Sequence, residues 1–169
     1  MIDFWSHFPP KNTRTHEACG PSAASFAAAL AGHLCTANGK TVFWLRESWQ
    51  GAQLNPVAFA TYLDPKQLLV AQAARQIDAL AAAEEALRSG HVALVVIELS
   101  QQIGLTEGRR LQLAAQEGGA MGLCLLSEDM GSNAAQTRWR CSPVFDPNGA
   151  VVDSTLQHWE IIKNKSGTL

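Results

Sequence analysis

Val92-Ala93-Leu94-Val95-Val96-Ile97 is an unbroken apolar run that ends abruptly in Glu98. A strand with one face in water would alternate apolar and polar residues. A continuous run of this length fits a strand covered on both faces, which sets it at the centre of a sheet with helices above and below. The flanking segments supply those layers. Arg75 to Ser89 shows helical spacing through Ile77, Leu80 and Leu87 and is stopped by Gly90. Thr106 to Glu117 reads as a second helix, with Thr106 as its expected N-cap and Gly118-Gly119 as its stop. Leu68 to Ala71 and Met121 to Leu126 read as the outer strands of the unit. The β-α-β-α-β alternation from Leu68 to Leu126 implies a parallel, doubly covered sheet.

The N-terminal half repeats the theme. Thr13 to Cys19 is short and β-compatible, Gly20-Pro21 turns the chain, and the alanine-rich run from Ala23 to Ala31 has high helical propensity up to a stop at Asn38-Gly39. Thr41 to Leu45 is β-branched and aromatic and gives way at Arg46-Glu47-Ser48-Trp49, and Leu54 to Tyr62 has room for a short helix. At the other end, Thr137 to Val144 and Leu156 to Lys163 read as two strands around the turn-rich Asp146-Pro147-Asn148-Gly149. With no helix between them, an antiparallel hairpin at the sheet edge is expected. The fold class is therefore α/β, a mainly parallel sheet flanked by helices with an antiparallel C-terminal edge hairpin. Residues 1–12 read as an N-terminal tail and residues 13–169 as a single domain. In the tail, Phe4, Trp5 and Phe8 precede Pro9-Pro10 as a segment that either packs on the core or docks a partner.

The strand, turn and helix around Gly20 form the setting of a phosphate-binding loop. Such a loop needs G-x-x-x-x-G-K-[ST]: backbone N–H groups wrap the phosphates, Lys meets the β/γ-phosphates and Ser/Thr holds Mg²⁺. Here the frame reads Gly20, Pro21, Ser22, Ala23, Ala24, Ser25, Phe26, Ala27. Ser25 replaces the second Gly, Phe26 the Lys and Ala27 the hydroxyl. Either this is no nucleotide site or it is one that has lost its catalytic parts. Gly39-Lys40-Thr41 has the missing letters, but the Gly required five positions earlier is Leu34. Ser22 and Ser25 have two readings, helix capping and phosphate contact.

Composition narrows the function classes. A hydrophobic fraction of 47% with 17% charged residues is that of an ordinary folded domain rather than a disordered chain. The net charge of −2 gives no strong field toward phosphate backbones, so tight autonomous DNA binding is disfavoured. Cys19, Cys35, Cys124 and Cys141 are scattered, without a C-x-x-C pair or a Cys/His cluster, and read as buried thiols in a reducing compartment with no metal site. Met1 to Pro10 lacks a signal-peptide pattern, and no apolar stretch reaches the roughly 18 residues needed to span a bilayer. The expected location is cytoplasmic, with no membrane partner.

The order of elements and several local strings resemble the RecA-like P-loop NTPase fold. Arg14-Thr15-His16-Glu17-Ala18-Cys19-Gly20-Pro21 is similar to the strand entering the RecA phosphate loop, and Leu94 to Glu98 resembles Walker B. Glu47, after Val42 to Arg46, lies where that superfamily carries its water-activating Glu. Within the superfamily the chain is most similar to ImuA, an SOS mutagenesis family sometimes labelled SulA-like. That resemblance is carried by Glu85-Ala86-Leu87-Arg88-Ser89-Gly90, Arg109-Arg110-Leu111-Gln112-Leu113-Ala114-Ala115 and Gly118-Gly119-Ala120-Met121-Gly122-Leu123. It implies a role in DNA repair beside an error-prone translesion synthesis assembly. The partners it implies are an ImuB-like Y-family polymerase-related protein and a replicative-type polymerase subunit. A homo-oligomer or a RecA contact, and weak or indirect DNA contact, also follow from it.

Three functions are consistent with these residues. The first is a non-catalytic RecA-like adaptor working through protein–protein interaction, with no cofactor. The second is a divergent ATPase in which Glu47 and Glu98 activate water and organise Mg²⁺, with the missing cation supplied by Lys40 or a neighbouring subunit's Arg. The third is a SulA-like cell-division regulator. Under the plainer reading, Glu98 is a strand-end carboxylate paired with a helix N-terminus or a neighbouring base, and Glu47 is a solvated loop acid. His16, His33 and His91 fall on separate elements and form no catalytic constellation. Arg138, Arg140, Lys163 and Lys165 are the basic grouping near the end, read as either a solvated sheet edge or a modest nucleic-acid patch.

Overall fold

The structure, a computed structural model, describes residues 6–36, 39–144 and 156–167. In chain order the elements are β1 (Thr15–Cys19), α1 (Ala23–Thr36), β2 (Thr41–Glu47), α2 (Pro56–Phe59), β3 (Leu68–Ala73), α3 (Gln76–Arg88), β4 (Val92–Glu98), α4 (Leu105–Gly118), β5 (Met121–Leu126), β6 (Thr137–Pro143) and β7 (Gln157–Asn164). They build one seven-stranded sheet of order β3-β2-β4-β5-β1-β6-β7. Every pairing is parallel except β6 with β7, which is antiparallel, as the sequence reading expected. The turn read at Asp146 to Gly149 lies outside the described residues, as do Phe4, Trp5 and Asn38.

β4 sits between β2 and β5, and its six apolar residues are all buried. Its alternate side chains feed two cores. Leu94 and Val96 join Phe26, Leu30, Val42, Trp44 and Leu123 beneath α1. Val95 and Ile97 join Leu45, Leu87, Leu111 and Ala115 beneath α3 and α4. The continuous hydrophobicity of β4 thus follows from having a helix layer on each side.

The helix boundaries bring one correction. Thr106 does not cap α4: Gly104 is the N-cap, its carbonyl accepting from the Gly108 N–H, and Thr106 lies exposed in the first turn. Glu107 folds back over the cap, so that a Cβ on Gly104 would meet its carboxylate at 2.6 Å and turn that side chain aside.

The β6–β7 end is sealed by aromatic packing. Phe26 touches Trp139 at 5.2 Å and Trp159 at 4.9 Å between ring centroids, and Phe8 closes over Phe26 and Trp159. Phe8, read as part of a tail, is therefore a buried core residue. Beside it, fully buried His16 is held in one neutral form. Its Nε2 faces the Lys11 carbonyl at 2.8 Å, which can only accept, so Nε2 carries the proton. Nδ1 then accepts from the Thr137 hydroxyl at 2.7 Å, and that hydroxyl accepts from Trp139 Nε1. Burial pushes the His16 pKa down to about 4, with the Lys11 carbonyl opposing and the Arg14 charge assisting.

Candidate functional site

The phosphate-loop frame lies at the C-terminal rim of the sheet, where ligands of open α/β sheets bind. A cleft of about 670 Å³ opens there, lined by Gly20, Pro21 and Ala24 on one side, Gln50, Gln53 and Leu54 opposite, and Glu98, Ser127 and Glu128 along the strand ends.

The turn itself is short. α1 begins at Ala23, so only Gly20, Pro21 and Ser22 separate it from β1, and Ser25, Phe26 and Ala27 are already helical. Ser22 holds the N-cap position, its carbonyl accepting from the Phe26 N–H, whereas Ser25 lies within the helix. Three positions of the turn offer a phosphate no free backbone donor. Pro21 has none, Ser22 N–H donates to the Cys141 carbonyl at 3.1 Å, and Ala23 N–H donates to the Gly20 carbonyl at 3.1 Å. The first of these bonds straps the turn to β6. It also explains Gly20, which has φ +90° and lies so close to β6 that a Cβ would meet the Cys141 oxygen at 2.5 Å.

Phe26, at the position of the phosphate-loop Lys, points away from the cleft into the aromatic core. A helical residue three positions past the helix start projects to the side that α1 lays on the sheet, and there a phenyl ring is favoured over an ammonium group. Ala27 is buried alongside it.

Glu98 and Glu47 are separated by the sheet. Trp44, Arg46 and Glu98 share the α1 face: Trp44 Nε1 donates to Glu98 Oε1 at 2.7 Å and Arg46 Nη2 donates to Glu98 Oε2 at 3.0 Å. Both carboxylate oxygens thus accept from protein donors, and of the two partners the sequence left open, a helix N-terminus or a neighbouring base, it is the base that is present. The Arg46 side chain is 5% exposed, and it also bonds Gln50 Oε1 and the Ala52 carbonyl, tying the Gln50–Gln53 wall of the cleft to the strands. Glu47 is no solvated loop acid. It is the last residue of β2, 6% exposed, and by strand alternation faces the α3–α4 side, where it accepts from the Ser100 hydroxyl. The sequence placed both acids at strand ends but could not show which face each takes, because the end of β2 lay two residues beyond its apolar run.

A third acid escaped the sequence reading. Glu17 lies inside β1, 1% exposed, where it accepts from Arg138 Nε at 2.7 Å and from the Ser132 N–H at 2.8 Å. The β1–β6 register sets Glu17 beside Arg138. A carboxylate in a five-residue strand, with a partner 121 positions away, leaves no local signal.

The other candidates are dispersed. Arg110 pairs with Glu84 at 2.8 Å across the α3–α4 seam. Arg140 bonds Glu128 and Glu160. Lys163 and Lys165 donate to the Ser132 and Ala134 carbonyls, and burial lowers the Lys163 pKa. The C-terminal basic grouping is thus largely engaged with acids and carbonyls of its own chain. All four cysteines are free and buried, and burial raises the thiol pKa of each, that of Cys141 up to about 12. Among the described residues no cluster of His, Cys, Asp and Glu has the geometry of a metal site, and no helix is long and apolar enough to cross a membrane.

No protein-family model and no curated protein matches the sequence. Solved structures do. SulA from Pseudomonas aeruginosa matches with a TM-score of 0.55 and 21% identity over 67% of this chain and 97% of that one. The RadB recombinase matches with a TM-score of 0.59 and 13% identity over 90% of this chain and 88% of that one. At such identities the likeness concerns the fold. The chain has a RecA-like α/β fold, shared with SulA and RadB, in which the place of the phosphate loop is a three-residue turn strapped to β6.

Proposed function

We propose that this chain is a non-catalytic RecA-like adaptor in the DNA damage response, working beside an error-prone translesion synthesis assembly through protein partners. The observation that carries the first half of this reading is the Arg46–Glu98 pair. The strand-end carboxylate that would organise a metal in an ATPase is neutralised by an arginine of the adjacent strand, beside a turn whose Ser22 and Ala23 amides bond within the protein. The second half rests on the ImuA-like strings around Arg88, Arg110 and Gly119. The partners on this reading are an ImuB-like Y-family polymerase-related protein and a replicative-type polymerase subunit.

Thermal unfolding with and without ATP·Mg²⁺ tests the first half. A ligand of the folded state at about 100 times its Kd adds roughly 2.7 kcal/mol, a shift of several degrees. The adaptor reading expects no shift. A clear shift, with phosphate release that vanishes in Glu98→Gln, would establish the divergent ATPase instead. The near-complete coverage of SulA favours one further reading, a SulA-like regulator of cell division. Pull-downs with the tagged chain separate the two, since the adaptor retains the polymerase subunits and the regulator retains the division-ring protein.

A further inference from the structure

The open edge of the sheet at β3 is built to meet another strand. β3 pairs only with β2, so its outer row of backbone N–H and C=O groups faces outward among the described residues. Such an edge invites pairing with a further chain unless charge, proline, a bulge or a covering segment blocks it. β3 has none of the first three. Leu68-Leu69-Val70-Ala71-Gln72-Ala73 is uncharged and free of proline, and its register with β2 runs unbroken from Leu68 to Ala73. Leu69 is 51% exposed and Val70 49% exposed, on opposite faces of the strand. The surroundings continue the pattern: from Ser48 to Ala74 the only charged residues are Asp64 and Lys66. That stretch also carries Trp49 and Val57, both strongly exposed. Depletion of charge with aromatic and aliphatic exposure is the composition of an interface core.

We propose that β3 pairs antiparallel with β3 of a second copy of this chain, about a two-fold axis normal to the sheet, making one continuous sheet across a homodimer. Three features select a second copy. Two-fold pairing sets a strand against itself, and the charge-free β3 brings no like charges together when it does so. The pairing is isologous and closes, whereas joining β3 to β7 of another copy would be head-to-tail and open-ended. β7 is also a poor complement, because it brings His158, Glu160 and Lys163 against a strand that offers them no partner.

The experiment measures mass and proximity on the full chain. Light scattering after size exclusion in the micromolar range should give twice the chain mass for the wild type and the chain mass for Val70→Lys, with the far-UV spectrum of the variant unchanged. Val70→Cys and Ala71→Cys bracket the strand midpoint, one on each face, and the native cysteines are all buried. Under mild oxidation at least one of the two should run as a covalent dimer, while His158→Cys on β7 stays monomeric. This second measurement holds if the lysine variant fails to fold. A wild type that remains monomeric throughout, a dimer that survives Val70→Lys, or cross-linking at β7 and not at β3 would each overturn the proposal. So would protection of the β3 amides from exchange that appears only on adding a polymerase partner.

Discussion

At the β6–β7 end of the sheet, Phe8, Phe26, Trp139 and Trp159 interlock, His16 is locked between Thr137 and Lys11, and the last strand carries Glu160 in a pair with Arg140. At the β2–β3 end the last strand is a six-residue, charge-free edge with half-exposed Leu69 and Val70. Both ends belong to one sheet and each finishes in an edge strand, yet only one of those strands is charged and packed against a cluster of aromatic rings. A buried aromatic and ionic seal contributes stability within the chain, whereas a bare uncharged edge contributes little until something pairs with it. The cleft lies between these regions, strapped on one side by the Ser22–Cys141 bond and held on the other by Arg46.

The contrast breaks most visibly at the seal. Phe26→Ala should cost about 3–5 kcal/mol in urea unfolding, since the ring is fully buried between two tryptophans. Glu17→Ala should lose a similar amount, about 3–5 kcal/mol, because it leaves the Arg138 guanidinium in a largely buried site without its carboxylate. Next comes pH. Native His16 titrates at about 4 against 6.5 in the unfolded chain, so only the unfolded state binds the proton between those values. The His16 contribution is therefore complete above pH 6.5 and is lost as the pH falls toward 4, by about 3 kcal/mol in all. His16→Gln should flatten that part of the stability–pH curve.

Gly20→Ala tests the strap. The forced φ of +90° and the 2.5 Å approach to the Cys141 oxygen should cost about 1–3 kcal/mol and loosen the turn from β6, seen as faster amide exchange at Ser22. Arg140→Gln marks the low end of the scale at the sealed end. Its partners Glu128 and Glu160 are half exposed, so the melting temperature should stay within replicate error. If Arg140→Gln rivals Glu17→Ala, the distinction between a buried and a superficial seal fails.

The sequence carried the elements well because its signals are local. The β4 run, the alanine-rich α1 and the glycine stops after α3 and α4 each fall within one window, and the strands and helices formed where those windows lie. The site was less legible. Glu98 could be read as a strand-end acid, and its pairing with a base was among the readings. That the base is Arg46, and that Glu47 turns to the opposite face, depends on two strands 52 positions apart coming into register. Thr106 looked like a cap because threonine often is one, but the backbone turned earlier, at Gly104.

By itself, the sequence determined a doubly covered, mainly parallel sheet with an antiparallel edge hairpin, and it removed the Lys and the hydroxyl from the phosphate-loop frame. Apolar periodicity and residue identity act over a few positions, so they can be read without knowing the fold. Only the tertiary structure decided that Phe26 belongs to the core, that the turn is strapped to β6, that Arg46 neutralises Glu98, and that one end of the sheet carries an aromatic cluster while the other finishes in a half-exposed, charge-free strand. Each of these rests on groups far apart in the chain, set within a few ångströms of one another by strand order and register.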